Sequence, residues 1–133
     1  MVEPFLNLMG RANEAMEFYE TVFKCSDKKI VRVSDMPSEP AYPLPSEMRN
    51  LIAHAQMTIH GTRFNFSDMQ PGVISNNMIS LKVVFSSPEE INDVYAKLSD
   101  GGEVRMELSE QSYARLFAWV RDKFGVDWQL VFE

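Results

Sequence analysis

Cysteine is almost missing from this chain. Cys25 stands alone among 133 residues, so no disulfide can form within the chain, and a reducing cytoplasm is the expected setting. Basic charge is also short: 13 Lys and Arg face 19 Asp and Glu, and the net charge of −6 argues against a nucleic-acid or anionic-membrane partner. The six glycines form neither a G-x-G-x-x-G turn nor a Walker loop, so no nucleotide-bearing cofactor is expected. G-x-S-x-G and H-E-x-x-H are absent as well. No apolar run approaches the roughly 20 residues of a membrane-spanning helix. The start, Met1-Val2-Glu3-Pro4, has neither the basic head nor the apolar stretch of a signal peptide. With 45% hydrophobic and 24% charged residues, the composition is that of one globular domain, or of two small halves sharing a core.

Two segments carry helical periodicity. From Ala12 to Lys24, the residues Ala12, Ala15, Met16, Tyr19, Val22 and Phe23 recur on one face, with Glu14, Glu17 and Glu20 toward water. The second helix opens with Ser87 as N-cap, Pro88 in the first turn and Glu90 completing an S-x-x-E capping box. Ile91, Val94, Tyr95 and Leu98 form its apolar stripe, and Gly101-Gly102 ends it. Strands are predicted over 2–8, 29–34, 50–59, 62–67, 78–85, 103–108, 113–121 and 126–132, with a tight hairpin at His60-Gly61. The order is β-α-β-β-β, twice.

The letters support that repetition. Pro4 to Tyr19 aligns with Ser80 to Tyr95 at an offset of 76, and Gly61 to Phe66 aligns with Gly125 to Leu130 at an offset of 64. The difference falls in residues 35–49, where Pro37, Pro40, Pro43 and Pro45 favour an extended loop. The expected organisation is a single domain, α+β, with modules at 1–75 and 76–133 sharing one curved, partly closed mixed sheet with helices outside.

A doubled βαβββ unit is the architecture of the vicinal-oxygen-chelate superfamily, which includes the glyoxalases and the bleomycin-resistance proteins. The chain resembles its PhnB-like branch, also described as 3-demethylubiquinone methyltransferase-like. The resemblance rests on Glu14-Ala15-Met16-Glu17-Phe18-Tyr19 with Val22-Phe23, on His54-Ala55-Gln56-Met57, and on Gly61-Thr62-Arg63-Phe64 through Asp68. Gly101 to Val104 and Trp119 to Trp128 complete it, and Ala114 departs from it where relatives often have glycine. It implies a cytoplasmic homodimer whose strands curl around a pocket, and it names no substrate.

Metal-dependent members of the superfamily take ligands from an early and a late strand position in each module. Here the resemblance puts Pro4, Ser80, Ser67 and Val131 at those positions, none offering an imidazole or carboxylate, so no metal is expected. The two histidines read differently. His60 reads as a solvated turn residue, while His54 reads as a packed sheet residue or a catalytic base. Cys25 follows a helix C-terminus and reads as an inert thiol. Along 113–121, one face shows Tyr113, Arg115, Phe117, Trp119 and Arg121, and the other Ala114, Leu116, Ala118 and Val120. Alternation alone leaves open which face is concave. If the aromatic face lines a pocket, Arg63, Asn65 and Lys82 join Tyr113, Arg115, Phe117 and Trp119 as ligand-binding candidates. The leading reading is a small-molecule-binding protein, or an enzyme, without the family's metal. The alternatives are a metal-dependent lyase or dioxygenase using His54, His60, Asp68 and Glu133, and a dimeric protein that sequesters an antibiotic.

Overall fold

A computed structural model describes residues 1–36 and 46–133. Its elements are β1 (Phe5–Asn7), α1 (Ala12–Val22), β2 (Cys25–Arg32), β3 (Ile52–Ile59), β4 (Thr62–Ser67), β5 (Leu81–Val84), α2 (Pro88–Ser99), β6 (Glu103–Gln111), β7 (Ala114–Arg121) and β8 (Asp127–Phe132). Short 3-10 turns lie at Val33–Asp35 and Ser46–Met48. The four prolines of the expected extended loop fall in 37–45, outside the described residues. No helix among the described residues is long and apolar enough to cross a membrane.

The chain divides into two compact units, Met1–Val73 and Ile74–Glu133. Each holds one βαβββ module and one four-stranded sheet, ordered β1-β4-β3-β2 in the first and β5-β8-β7-β6 in the second. In both, the first and last strands of the module pair in parallel and all other pairs are antiparallel. The repeat inferred from the letters is therefore a repeat of topology.

Cross-strand partners share a face, so the register sorts each sheet into two sides. In the first sheet, Ala55, Met57, Phe64 and Phe66 are buried on one side. The Tyr19 ring of α1 lies 6.4 Å from that of Phe66, which marks this as the helix-covered side. In the second sheet, Ala118, Val120, Trp128 and Leu130 share a side and are wholly buried, as are Ile91 and Leu98 of α2. Full burial of each large apolar side chain stabilises the fold by on the order of 2 kcal/mol. The small residues of β7 thus lie on the helix side, and Phe117 and Trp119 lie on the opposite face.

The two helices begin by different means. Ser87 accepts from the Glu90 N–H at 3.2 Å, as its position predicts, but the Glu90 carboxylate takes the Ser86 hydroxyl, so the capping box is half formed. Helix α1 has no local side-chain cap at Arg11. Its start is held from 56 residues away: Asp68 Oδ1 accepts from the N–H of Gly10 at 2.8 Å and of Ala12 at 2.9 Å. The other oxygen accepts from the Ile52 N–H at 2.9 Å. Helix α1 ends at Val22, two residues before the predicted limit, because Phe23 turns to extended backbone. At the β3–β4 hairpin, His60 and Gly61 both take positive φ, +46° and +85°, the geometry of a two-residue type I′ turn.

Asp68→Ala would leave three partly or fully buried N–H groups without their acceptor. We expect a loss of about 3 kcal/mol or more in urea unfolding at unchanged m. A loss below about 1 kcal/mol would show that water replaces the carboxylate.

Candidate functional site

The side of the first sheet away from α1 is polar. The β3–β4 register puts Gln56 opposite Asn65, and the β1–β4 register puts Phe5 beside Asn65. Val31 of β2 faces His54. One hydrogen-bonded chain runs across this surface. Arg63 donates to Glu3 through Nε at 2.9 Å and through an Nη at 2.6 Å. Asn65 Nδ2 donates to Glu3 Oε1 at 3.0 Å and to the Pro4 carbonyl at 3.3 Å. Asn65 Oδ1 lies 3.2 Å from His54 Nε2 and accepts from Gln56 Nε2 at 3.4 Å. The half-exposed Phe5 ring stands 6.0 Å from the imidazole. His54, Arg63 and Asn65, singled out in the sequence, are thus brought together, with Glu3 and Gln56 added.

Glu3 was missed because of a one-residue error in the repeat. The helices align at an offset of 76, but β1 and β5 do not. Phe5 pairs with Asn65, whereas Lys82, not Leu81, pairs with Gln129. The link between strand and helix is one residue shorter in the second module. Correcting for it puts Glu3, rather than Pro4, in register with Ser80. The hydrogen bonds agree: Gln129 Nε2 donates to Ser80 Oγ at 3.0 Å, just as Asn65 donates to Glu3. A carboxylate thus replaces a hydroxyl at the equivalent place.

In the second sheet, Lys82, Phe117 and Trp119 share the helix-free side with Gln129 and Val131. Phe117 and Val131 form a small apolar cluster with Ala114, and Trp119 packs against it. Ala114 therefore leaves the face its parity assigned, since the β6–β7 register shifts between Ala114 and Phe117. The Trp119 indole Nε1–H is buried and has no hydrogen-bond partner among the described residues. Arg105 stands over this indole, 5.7 Å from the ring centroid. Lys82 Nζ lies 3.7 Å from a Glu133 carboxylate oxygen. Arg115 breaks the expected stripe. Its Nε donates to the Glu133 carbonyl and its guanidinium sits 4.1 Å from the Phe132 ring centroid, at an open depression it lines with the exposed Tyr113. Tyr113 touches Phe117 edge-on, with centroids 5.4 Å apart.

The positions implied for a metal do not fit one. Glu3 faces the right side, but both its oxygens accept from Arg63, a fixed cation that repels a second. Ser67 donates to the Ala53 carbonyl, and Val131 belongs to an apolar cluster. The unorthodox ligand set fares no better. Asp68 accepts three backbone N–H groups, and His60 Nε2 accepts from the Lys24 N–H at 3.3 Å. His60 is therefore an anchored turn residue, packed edge-on against Phe23, rather than a freely solvated one. Among the described residues, no three His, Cys, Asp or Glu side chains gather as a metal-holding group. Cys25 donates to the Tyr19 carbonyl, and burial, aided by Glu20, pushes its thiol up to about 11, in keeping with an inert thiol.

Hydrogen bonds from Arg63 and then Asn65 lower the Glu3 carboxyl from 4.5 to about 2. A depressed carboxyl favours the fold above its unfolded value, and that contribution fades as pH falls from 4.5 toward 2. A carbon-13 NMR titration should find the Glu3 midpoint near 2, and Arg63→Gln should raise it toward 4.5. A parent midpoint at 4.5 would mean that the pair is absent in solution.

Comparison with known proteins agrees with this architecture. The profile of the family described as 3-demethylubiquinone-9 3-methyltransferase matches residues 1–131. Protein YjdN of Escherichia coli (strain K12) is 28% identical over 136 residues, covering 97% of this chain and 92% of that one. The structure of the PhnB protein from Bacillus cereus superposes with a TM-score of 0.78 at 30% identity, covering 99% of this chain and 98% of that one. The fosfomycin resistance protein FosX from Listeria monocytogenes shares the fold, with a TM-score of 0.67 at 10% identity over 100% of this chain and 92% of its own. The chain belongs to the 3-demethylubiquinone-9 3-methyltransferase family and is PhnB-like.

Proposed function

We propose that this PhnB-like chain binds a small organic molecule on the helix-free face of its first sheet, and acts there without the superfamily's metal centre. The observation that carries the reading is the linked set of His54, Gln56 and Asn65 on a face that no helix of its module covers. Polar side chains on such a face need a reason beyond packing, because solvent or a ligand must satisfy whatever the network leaves over. The orphaned Trp119 N–H, with Lys82 and Phe117 on the same side of the second sheet, supports a further contact surface there. Tyr113 and Arg115 stand apart at the depression near Glu133. Whether the bound molecule is turned over or only sequestered depends on whether His54 meets an acidic proton of it.

The name of the family mentions a methyltransferase, but the chain has no glycine-rich strand-to-helix turn of the kind that holds a nucleotide-bearing cofactor. The test is a thermal-shift screen of the purified protein with phenols, quinones, phosphonates, carboxylic acids and aromatic antibiotics. A ligand at 100 times its Kd stabilises the fold by about 2.7 kcal/mol, and so raises Tm by several degrees. Asn65→Leu should abolish that rise. If no compound shifts Tm, and calorimetry instead finds one tight Zn, Ni or Mn site per protomer that His54→Ala removes, the reading is wrong.

Homodimerisation belongs to the same proposal. Among the described residues, β6 has one hydrogen-bonded neighbour, β7, and is exposed along almost its whole length, including Val104 and Met106 at 39% each. An open edge of this length invites pairing or cover. Sedimentation should give twice the 15.3 kDa chain mass at micromolar concentration, and a constant monomer mass would reject the dimer.

A further inference from the structure

The network does more than tie strands together, because it admits one orientation of the Asn65 amide. One end of that amide lies between the Glu3 carboxylate and the Pro4 carbonyl, at 3.0 and 3.3 Å. Both partners are acceptors only, so the NH2 group must point at them. The carbonyl oxygen is thereby turned toward His54 Nε2. An oxygen cannot donate, so that nitrogen must carry the proton. The chain of constraint begins at Arg63, which fixes the Glu3 carboxylate with two hydrogen bonds.

We propose that Glu3 and Asn65 lock His54 in its Nε2–H tautomer and leave Nδ1 as an acceptor, making this face a site for a ligand hydroxyl. The inference rests on the binding face proposed above and names the chemistry that face selects. Among the described residues, Nδ1 has no hydrogen-bond partner, and neither has Gln56 Oε1, which lies two residues along the same strand face. Among the network's donors, Arg63 Nε and one Nη and the Asn65 amide are taken by Glu3, and Gln56 Nε2 by Asn65 Oδ1. Two acceptors beside the exposed Phe5 ring suit a planar phenol or enol that presents O–H, and disfavour a carboxylate or phosphonate. On binding, the ligand O–H donates to Nδ1. Should it transfer its proton, the imidazole becomes a cation held by Asn65 and the ligand leaves as the phenolate or enolate. Glu3, Arg63 and Asn65 are positioning residues in this scheme.

His60 provides an internal reference, because its Nε2 accepts from a backbone N–H and so its proton must sit on Nδ1. The two histidines should therefore be opposite tautomers. Long-range proton–nitrogen NMR of the ligand-free protein, at a pH where both rings are neutral, reads this directly. The parent should show His54 as Nε2–H and His60 as Nδ1–H. Asn65→Leu should release His54 into a mixture and leave His60 unchanged. His54 found as Nδ1–H in the parent, or unaltered in folded Asn65→Leu, overturns the proposal. Should Asn65→Leu fail to fold, the parent spectrum still decides it. Titration with catechol should then shift the His54 Nδ1 resonance, and benzoate should not. A shift by benzoate alone would overturn the ligand class and leave the binding face standing. No ligand is needed for the tautomer measurement, so its failure is separable from failure of the binding reading.

Discussion

A single carboxylate joins three parts of the first module. Asp68, just beyond β4, accepts from the N–H groups that open α1 and from the N–H that opens β3. Helix α1 has no cap of its own, and a first turn without an acceptor would carry unsatisfied donors into the interior. By supplying one charge to three donors, Asp68 fixes where the helix starts over the sheet. Tyr19 then meets Phe66, and the opposite face of the sheet is left to polar side chains. The position of His54 follows from that division of faces.

Local signals in the sequence led to correct local structure. Ser87-Pro88 with the Glu90 N–H begins α2, and His60-Gly61 makes the hairpin, because each needs only neighbours within a few residues. The alternation of β7 separated its two faces along most of its length, and packing under α2 chose the small-residue face for burial. Parity failed at the turn end, where a register shift moves Ala114 into the Phe117 cluster and Arg115 onto Phe132. A period-2 pattern cannot report a bulge of one residue.

The candidate site was legible in part, and for the same reason. His54, Arg63 and Asn65 could be chosen from type and parity, since all lie on paired strands a few residues apart. Glu3 and the true task of Asp68 depend on contacts spanning 60 and 56 residues, which no local pattern encodes. Glu3 had one available signal, the shorter strand-to-helix link in the second module. Read with that shift, the repeat itself makes Glu3 the equivalent of Ser80.

The two modules share a topology and diverge on the face their helices leave open. Where the first has a carboxylate neutralised by arginine, the second has the hydroxyl of Ser80, and where the first has His54, the repeat of β3 in β7 brings Phe117. The first face is consequently a linked network ending in an imidazole, and the second is an apolar cluster with a lysine and an indole N–H. Equivalent backbones hold both, because burial under the helix constrains only one side of each sheet. Substitutions on the other side leave the helix-packed core untouched, although Asn65, Phe117 and Val131 are buried there as well. Side chains without metal-ligand chemistry at these positions therefore need not damage the scaffold. Pairing Glu3 with Arg63 illustrates the exchange: a carboxylate that could face a cation instead orients an amide, and through it a histidine.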